Sequence, residues 1–213
     1  RIYIAVESVY SMDGDTAPLK AICALARQYH AALIVDEAHA TGVFGRGMVD
    51  EQGLQRQVFA KVITFGKALG CHGAAVLGSS LLKNYLVNFS RSFIYTTAAP
   101  LHQLAAIKMA YRLLGQADAE RATLKKNIHS FKKYINTTFE MVPSDSPIQC
   151  LLLGSNEKAK NMAALAQAAG FDVRPILSPT VAAGAERLRI CIHAYNTTDE
   201  LQRLASIINN AGL

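Results

Sequence analysis

The feature that most constrains the fold is an unbroken apolar run at residues 31–35, which reads AALIV. A strand with one wet face alternates apolar and polar residues, whereas a strand covered on both faces reads as a continuous apolar run. A strand-like segment at residues 2–6 precedes it, and residues 19–29 between the two have helical spacing, with Pro18 at the start. Because strand, helix and strand connect by a right-handed crossover, the sequence predicts an α/β fold with a mainly parallel sheet.

The remainder of the chain is predicted to add two strands, several helices and a second small α/β region. The strands at residues 58–64 and 73–78 have no helix between them, which favours an antiparallel pair over another crossover. Further elements are predicted as helices at residues 81–91, 101–114 and 119–139, a loop at 141–147, a strand at 148–153, a helix at 157–169, strands at 171–174 and 188–193, and a helix at 198–209. We therefore expect a large-domain region at residues 1–100, connecting helices at 101–141 and a small C-terminal domain at 142–213.

Charge and cysteine content narrow the classes of partner. The net charge is +6, but the densest basic group, at residues 121–133, has the spacing of the solvated face of a helix rather than that of a nucleic-acid site. The four cysteines are scattered without a CxxC pair, which favours free thiols in a reducing, cytoplasmic environment. No apolar run approaches the roughly 20 residues of a membrane-spanning helix. We expect a cytoplasmic protein that binds neither nucleic acid, membrane nor metal.

Three side chains of catalytic type follow the ends of two predicted strands. Asp36 comes directly after the run at residues 31–35, His39 follows three residues later, and Lys67 comes after Gly66 at the end of the strand at 58–64. Open α/β sheets bind ligands at this edge. A carboxylate for a pyridinium nitrogen, a donor for a phenolic oxygen and a lysine for an aldehyde are what pyridoxal phosphate (PLP) requires. The sequence therefore predicts a PLP site.

The same segment also permits a different function. Residues 35–39 read VDEAH, which matches the box of a DEAH-type NTPase, where Asp36 would bind Mg²⁺ and Glu37 would act as the base. Such an enzyme needs a GxxxxGK[ST] phosphate loop, and the chain contains none, although one could lie upstream of Arg1. The NTPase remains an alternative hypothesis, weaker than the PLP site.

Four motifs in order carry a resemblance to a known family. They are SMDGD at residues 11–15, DEAHATG at 36–42, TFGKALG at 64–70 and YTT at 95–97. The chain resembles the α-oxoamine synthases, which are fold-type I PLP enzymes that condense an amino acid with an acyl-CoA and release carbon dioxide. Residues 64–67 and 73–77 are most similar to the branch that joins L-alanine to a pimeloyl thioester in biotin biosynthesis. Branches that use other amino acids and acyl groups stay open.

The resemblance implies roles for the three catalytic candidates. Lys67 would hold PLP covalently and then act as the base that removes the α-proton of the amino acid. Asp36 would pair with the pyridinium nitrogen, and His39 would bond the phenolic oxygen.

It also implies roles for four further residues. Ser11 would bond the phenolic oxygen beside His39, and Thr64 would contact the phosphate. In a homodimer with a shared active site, Thr97 would reach the phosphate of the neighbouring subunit. Arg189 would bind the substrate carboxylate, since a guanidinium can hold a carboxylate through two hydrogen bonds.

We expect the sequence to be the C-terminal portion of a longer protein with an incomplete large domain. It opens on Arg1 and runs directly into a strand-like segment, and nothing before Ser11 matches the phosphate-binding turn or the ring-stacking side chain of the resembled family. Exposed apolar surfaces would follow unless another segment or chain covers them. A hypothesis of a different class is therefore a non-catalytic fragment or assembly partner.

Overall fold

A computed structural model describes residues 1–212, which divide into two compact units. The first unit contains residues 1–9 and 16–117, and the second contains residues 10–15 together with residues 118–212. The domain limits expected from the sequence, at residues 100 and 142, stay predictions.

The first unit is built on a four-stranded sheet. Its strands, in spatial order, are β1 (Tyr3–Glu7), β2 (Ala32–Asp36), β3 (Ala60–Thr64) and β4 (Ala74–Gly78). The pairs β1–β2 and β2–β3 are parallel, and β3–β4 is antiparallel. The predicted crossover and the predicted antiparallel neighbour are both confirmed. Parallel pairing brings the carboxyl ends of β2 and β3 to the same edge of the sheet.

Five helices complete this unit: α1 (Leu19–Gln28), α2 (Met48–Glu51), α3 (Ser80–Phe89), α4 (Arg91–Ile94) and α5 (Leu101–Leu114). The helix predicted at residues 81–91 is confirmed as α3, but it ends at Phe89 rather than Arg91, because Ser90 adopts an extended conformation (φ −74°, ψ 107°) that separates α3 from α4. The one-turn helix α2 was missed because four residues are too few for a periodic pattern.

Large apolar side chains of the first unit lie exposed. They belong to β4 and to α3, α4 and α5, and include Val76, Leu81, Tyr85, Phe89, Phe93, Leu101 and Leu104. The expected exposed apolar surface is thus present in this structure. Within residues 1–212, no helix has both the length and the apolar character to cross a bilayer.

The second unit packs three helices on a small antiparallel sheet. Its elements are α6 (Asp118–Tyr134), β5 (Ile148–Leu152), α7 (Asn156–Ala168), β6 (Arg174–Ile176), β7 (Arg187–Cys191) and α8 (Thr198–Asn209), and the strand order is β5-β7-β6. Phe131, Leu151, Met162 and Leu188 are fully buried in its core.

Two boundaries in this unit differ from prediction for local reasons. Helix α6 ends at Tyr134 rather than near residue 139, because the Asn209 side chain bonds both the Tyr134 carbonyl (2.8 Å) and the Asn136 amide (2.8 Å). The strand predicted at residues 171–174 begins only at Arg174, because Phe171 and Val173 form a turn in which the Val173 amide donates to the Phe171 carbonyl (3.0 Å).

The packing of the second unit's core can be tested by making the same Leu→Ala substitution at a buried and at an exposed position. Leu151 is 0% exposed and Leu165 on α7 is 47% exposed. We expect Leu151→Ala to lower the free energy of unfolding by about 2–5 kcal/mol, because it leaves a cavity, and Leu165→Ala to lower it by less than about 1 kcal/mol. Urea unfolding of the purified protein measures both, and equal losses would contradict the described packing.

Candidate active site

Lys67 lies in a tight turn that follows β3. The Phe65 amide donates to the Gly73 carbonyl (2.9 Å), and the Cys71 amide donates to the Phe65 carbonyl (2.7 Å). Gly70 has φ +61°, a conformation that favours glycine, and its amide donates to the Lys67 carbonyl (3.0 Å). The turn therefore closes on itself and presents the exposed Lys67 just beyond the carboxyl end of β3.

His39 lies against Lys67, and its Nε2 atom is 2.7 Å from the lysine Nζ atom. A lysine ammonium carries only donors, so in that state Nε2 accepts the bond and a neutral imidazole carries its proton on Nδ1. The two groups are close enough to pass a proton between them. The structure thus brings together two of the residues selected from the sequence.

Asp36 ends β2, where it pairs with Val62 of β3. Its Oδ1 atom accepts a hydrogen bond from the Ala38 amide (2.7 Å), which orients the carboxyl group at the start of the loop that carries His39. The Ser8 amide donates to the Asp36 carbonyl (2.8 Å), so the backbone is held as well. Asp36, His39 and Lys67 therefore all lie at or just beyond the carboxyl ends of adjacent parallel strands.

The loop after His39 also touches the lysine turn. Gly42 has φ +97°, and a Cβ atom placed on it would lie 2.5 Å from the Ala68 Cβ atom. Only a glycine permits this approach of the two segments, which fixes the spacing between the loop of His39 and the turn of Lys67.

Two threonine hydroxyls in this unit are buried without a hydrogen-bond partner among residues 1–212. They are Oγ1 of Thr64, at the end of β3, and Oγ1 of Thr41, two residues after His39. Buried hydroxyls are normally bonded, so these two are candidates for a hydrogen bond that a ligand would complete.

Ser11 and Arg189 belong to the second unit, where they contact each other. Arg189 Nε donates to the Ser11 carbonyl (2.9 Å). Arg187 forms an ion pair with Asp13 in the same turn. Gly14 has φ +77°, and a Cβ atom there would lie 2.3 Å from the Ile148 carbonyl oxygen. The turn at residues 10–15 is therefore fixed to β5 and β7 by charge, hydrogen bonding and close packing.

Cys150 on β5 pairs with Arg189 across the sheet and lies near the same turn. Its Sγ atom donates to the Met12 carbonyl (3.1 Å). Burial raises the pKa of the Cys150 thiol to about 11, although the Arg189 charge acts in the opposite direction. Cys150 is therefore a neutral, packed thiol rather than a nucleophile.

Thr97 lies in the exposed segment between α4 and α5. Its predicted contact is with the cofactor of a neighbouring subunit, so a single chain does not test it, and it stays a prediction.

Sequence reasoning gave Glu37 a role only in the NTPase hypothesis and missed its structural position. Glu37 is 0% exposed, and its carboxylate accepts hydrogen bonds from the Met48 amide (2.8 Å) and the Val49 amide (2.7 Å). Desolvation raises the pKa of Glu37, while the bonds from Val49 and Met48 and the charge of Lys61 lower it. The available signal was a second carboxylate directly after Asp36, followed by the apolar Ala38, but nothing in the sequence identifies its backbone donors.

Comparisons with known proteins point to one family. The family model described as aminotransferase class I and II matches residues 1–208. The 8-amino-7-oxononanoate synthase of Emericella nidulans is 41% identical over 224 residues, covering 97% of this chain and 54% of that protein. The chain spans about half the length of the curated relatives it matches.

Solved structures agree with this similarity. The 8-amino-7-oxononanoate synthase from Francisella tularensis is 30% identical with a TM-score of 0.85, and the match covers 98% of this chain and 62% of that one. A variant of serine palmitoyltransferase from S. paucimobilis, with PLP and myriocin bound, is 30% identical with a TM-score of 0.89, covering 99% and 54%. The fold-type I architecture expected from the sequence is confirmed.

The contrast between two cysteines tests the packing around Arg189. At pH 8 we expect iodoacetamide to modify the exposed Cys191 readily and Cys150 at least about 100-fold more slowly, because a raised pKa and burial both limit thiolate access. Peptide mass spectrometry over time measures both rates. Unfolding in urea should equalise them, and similar rates in the native protein would contradict the described environment of Cys150.

Proposed function

The chain belongs to the aminotransferase class I and II family, and from that premise we propose that the protein is a PLP-dependent acyltransferase. The reaction is the decarboxylative condensation of an amino acid with an acyl-CoA. The finer proposal is an 8-amino-7-oxononanoate synthase of biotin biosynthesis, which joins L-alanine to pimeloyl-CoA. It is supported by the 41% identity to relatives with that name.

One observation carries the proposal: the 2.7 Å approach of Lys67 Nζ to His39 Nε2 beyond the ends of two parallel strands. A lysine and an imidazole in contact at this edge, with the Asp36 carboxyl on the adjacent strand, form the donor set that PLP requires. The buried Thr64 hydroxyl lacks a partner among residues 1–212 and is suited to a phosphate oxygen. The residues present therefore fit the cofactor.

PLP supplies an electron sink for the negative charge that develops on the substrate α-carbon. With PLP bound, Asp36 would hold a proton on the ring nitrogen, and Lys67 would hold the cofactor and then accept the proton from the substrate α-carbon at Nζ. His39 would bond the phenolic oxygen, and its contact with Nζ would let it exchange a proton with the free lysine amine.

The remaining residues bind and orient. Ser11 would bond the phenolic oxygen, and Thr64 would bond the phosphate. Arg189 binds the substrate carboxylate, for which its Nε bond to the Ser11 carbonyl fixes the guanidinium plane. Thr97 reaches the phosphate site of a second subunit in an isologous homodimer. The four free cysteines are consistent with a cytoplasmic location.

Another α-oxoamine synthase is the main alternative, because serine palmitoyltransferase is also among the structural relatives. The 2-amino-3-ketobutyrate CoA ligases and 5-aminolevulinate synthases are further candidates. Release of CoA with alanine, glycine or serine against several acyl-CoAs distinguishes these activities. ATP hydrolysis without CoA release would instead support the DEAH-type NTPase.

A candidate of a different class is a non-catalytic fragment or assembly partner. One observation favours it: apolar side chains are exposed on α3, α4 and α5. Titration of the 213-residue polypeptide with PLP tests it. Stoichiometric, tight binding would contradict the non-catalytic candidate.

Replacement of the proposed cofactor lysine tests the chemistry. We expect Lys67→Ala to abolish the visible absorption band of PLP bound to the purified protein, and to lower CoA release by at least about 1,000-fold, because the amine both holds the cofactor and moves the proton. Spectrophotometric titration with PLP measures the band. Lys20→Ala, an exposed lysine on α1, serves as the control and should retain it; an unchanged band in Lys67→Ala would refute the assignment.

The substrate carboxylate site predicts a change in affinity. We expect Arg189→Gln to raise the KM for the amino acid by about 10- to 100-fold, since the charged hydrogen-bonded pair is lost, with less effect on the KM for the acyl-CoA. Steady-state kinetics with each substrate varied in turn measure this. Arg203→Gln, on the exposed side of α8, is the matched control, and an equal rise of both KM values in Arg189→Gln would argue against a specific carboxylate contact.

A further inference from the structure

Glu37 has the most deeply buried charged side chain among residues 1–212. It is 0% exposed, whereas the other buried charged residues, Lys61, Glu186 and Arg187, are 4% to 9% exposed. Taking a carboxylate out of water is costly unless hydrogen bonds and charges compensate it. Two backbone amides do so here, with Oε2 accepting from Met48 (2.8 Å) and Oε1 from Val49 (2.7 Å).

The backbone of Glu37 is held as firmly as its side chain. Its amide donates to the Val62 carbonyl of β3 (2.8 Å), and its carbonyl accepts from the amides of Ala40 (3.0 Å) and Thr41 (2.8 Å). Glu37 thus links β3, the loop that carries His39 and the start of α2.

The glycine at the end of the loop packs directly against the Glu37 carboxylate. Gly47 has φ +113°, and a Cβ atom there would lie 2.1 Å from Glu37 Oε2. The loop between Glu37 and Met48 is therefore closed by a contact that admits no side chain. Its middle is held against the lysine turn by the similar approach of Gly42 to Ala68.

We propose that Glu37 is a positioning residue, whose buried carboxylate fixes the loop at residues 37–48 so that His39 Nε2 stays in contact with Lys67 Nζ. Glu37 does not itself touch the reacting groups; it acts through His39. The effect of Glu37 on catalysis rests on the proposed function. Its effect on the contact between His39 and Lys67 does not, because both residues belong to this chain.

The positioning role can be measured in cofactor-free protein. Lys67→Ala should shift the imidazole NMR resonances of His39, because the two side chains are in contact. When Glu37→Leu or Gly47→Ala is already present, we expect Lys67→Ala to shift the His39 resonances by less than about a third as much. Glu37→Gln, which keeps the shape of the side chain and one acceptor oxygen, should restore part of the shift. The control is Glu51→Gln, an exposed carboxylate on α2, which should leave it unchanged.

The catalytic consequence is a split between kinetic constants. With PLP bound, Glu37→Leu and Gly47→Ala should lower kcat by about 10- to 100-fold, as expected for a small misplacement of a reacting group, while the KM values change by less than about twofold. A different result is a protein that lacks acyltransferase activity while Glu37→Leu and Gly47→Ala still reduce the effect of Lys67→Ala on the His39 resonances. That result would support the positioning role and refute the proposed function.

Three results would overturn the inference. The first is that Lys67→Ala shifts the His39 resonances as much in folded Glu37→Leu and Gly47→Ala as in the unmodified protein. The second is unfolding of all three variants by circular dichroism, which would show that Glu37 supports the whole unit rather than this contact. The third is a rise in KM with kcat unchanged.

Discussion

The candidate site depends on the parallel pairing of β2 with β3. Parallel strands end at the same edge of a sheet, so Asp36 and the turn that presents Lys67 become neighbours although the chain between them is about 30 residues long. Burial alternates along the apolar run of β2: Leu33 and Val35 are buried on one face, while Ala32 and Ile34 on the other face are half-buried. His39 then needs only a short loop to reach the lysine, at 2.7 Å.

Much of this arrangement could be predicted from local sequence. Apolar periodicity and the glycines and prolines between segments predict the crossover and the antiparallel β4. They also predict the helices at Leu101–Leu114 and Thr198–Asn209. The lysine, the aspartate and the histidine could be selected because polar residues of catalytic type come directly after strand-like runs. The motif resemblance then led to the family that the comparisons confirm.

The rest depended on contacts between segments distant in sequence. The end of α6 at Tyr134 is determined by Asn209, and the turn that carries Ser11 is held by Arg187 and Arg189, more than 170 residues away. Glu37 was overlooked because its partners are backbone amides of Met48 and Val49, which no side-chain pattern reveals. Sequence patterns identify reactive groups more readily than the bonds that hold those groups in place.

The central claim is that Lys67, held beside His39 at the edge of a parallel sheet, carries PLP. A crystal structure of the purified protein grown with PLP tests it most directly. The account predicts electron density that is continuous from Lys67 Nζ into the cofactor, with the phosphate at Thr64 Oγ1 and the ring nitrogen at Asp36. Cofactor density attached to another lysine, or bound away from these three residues, would contradict it.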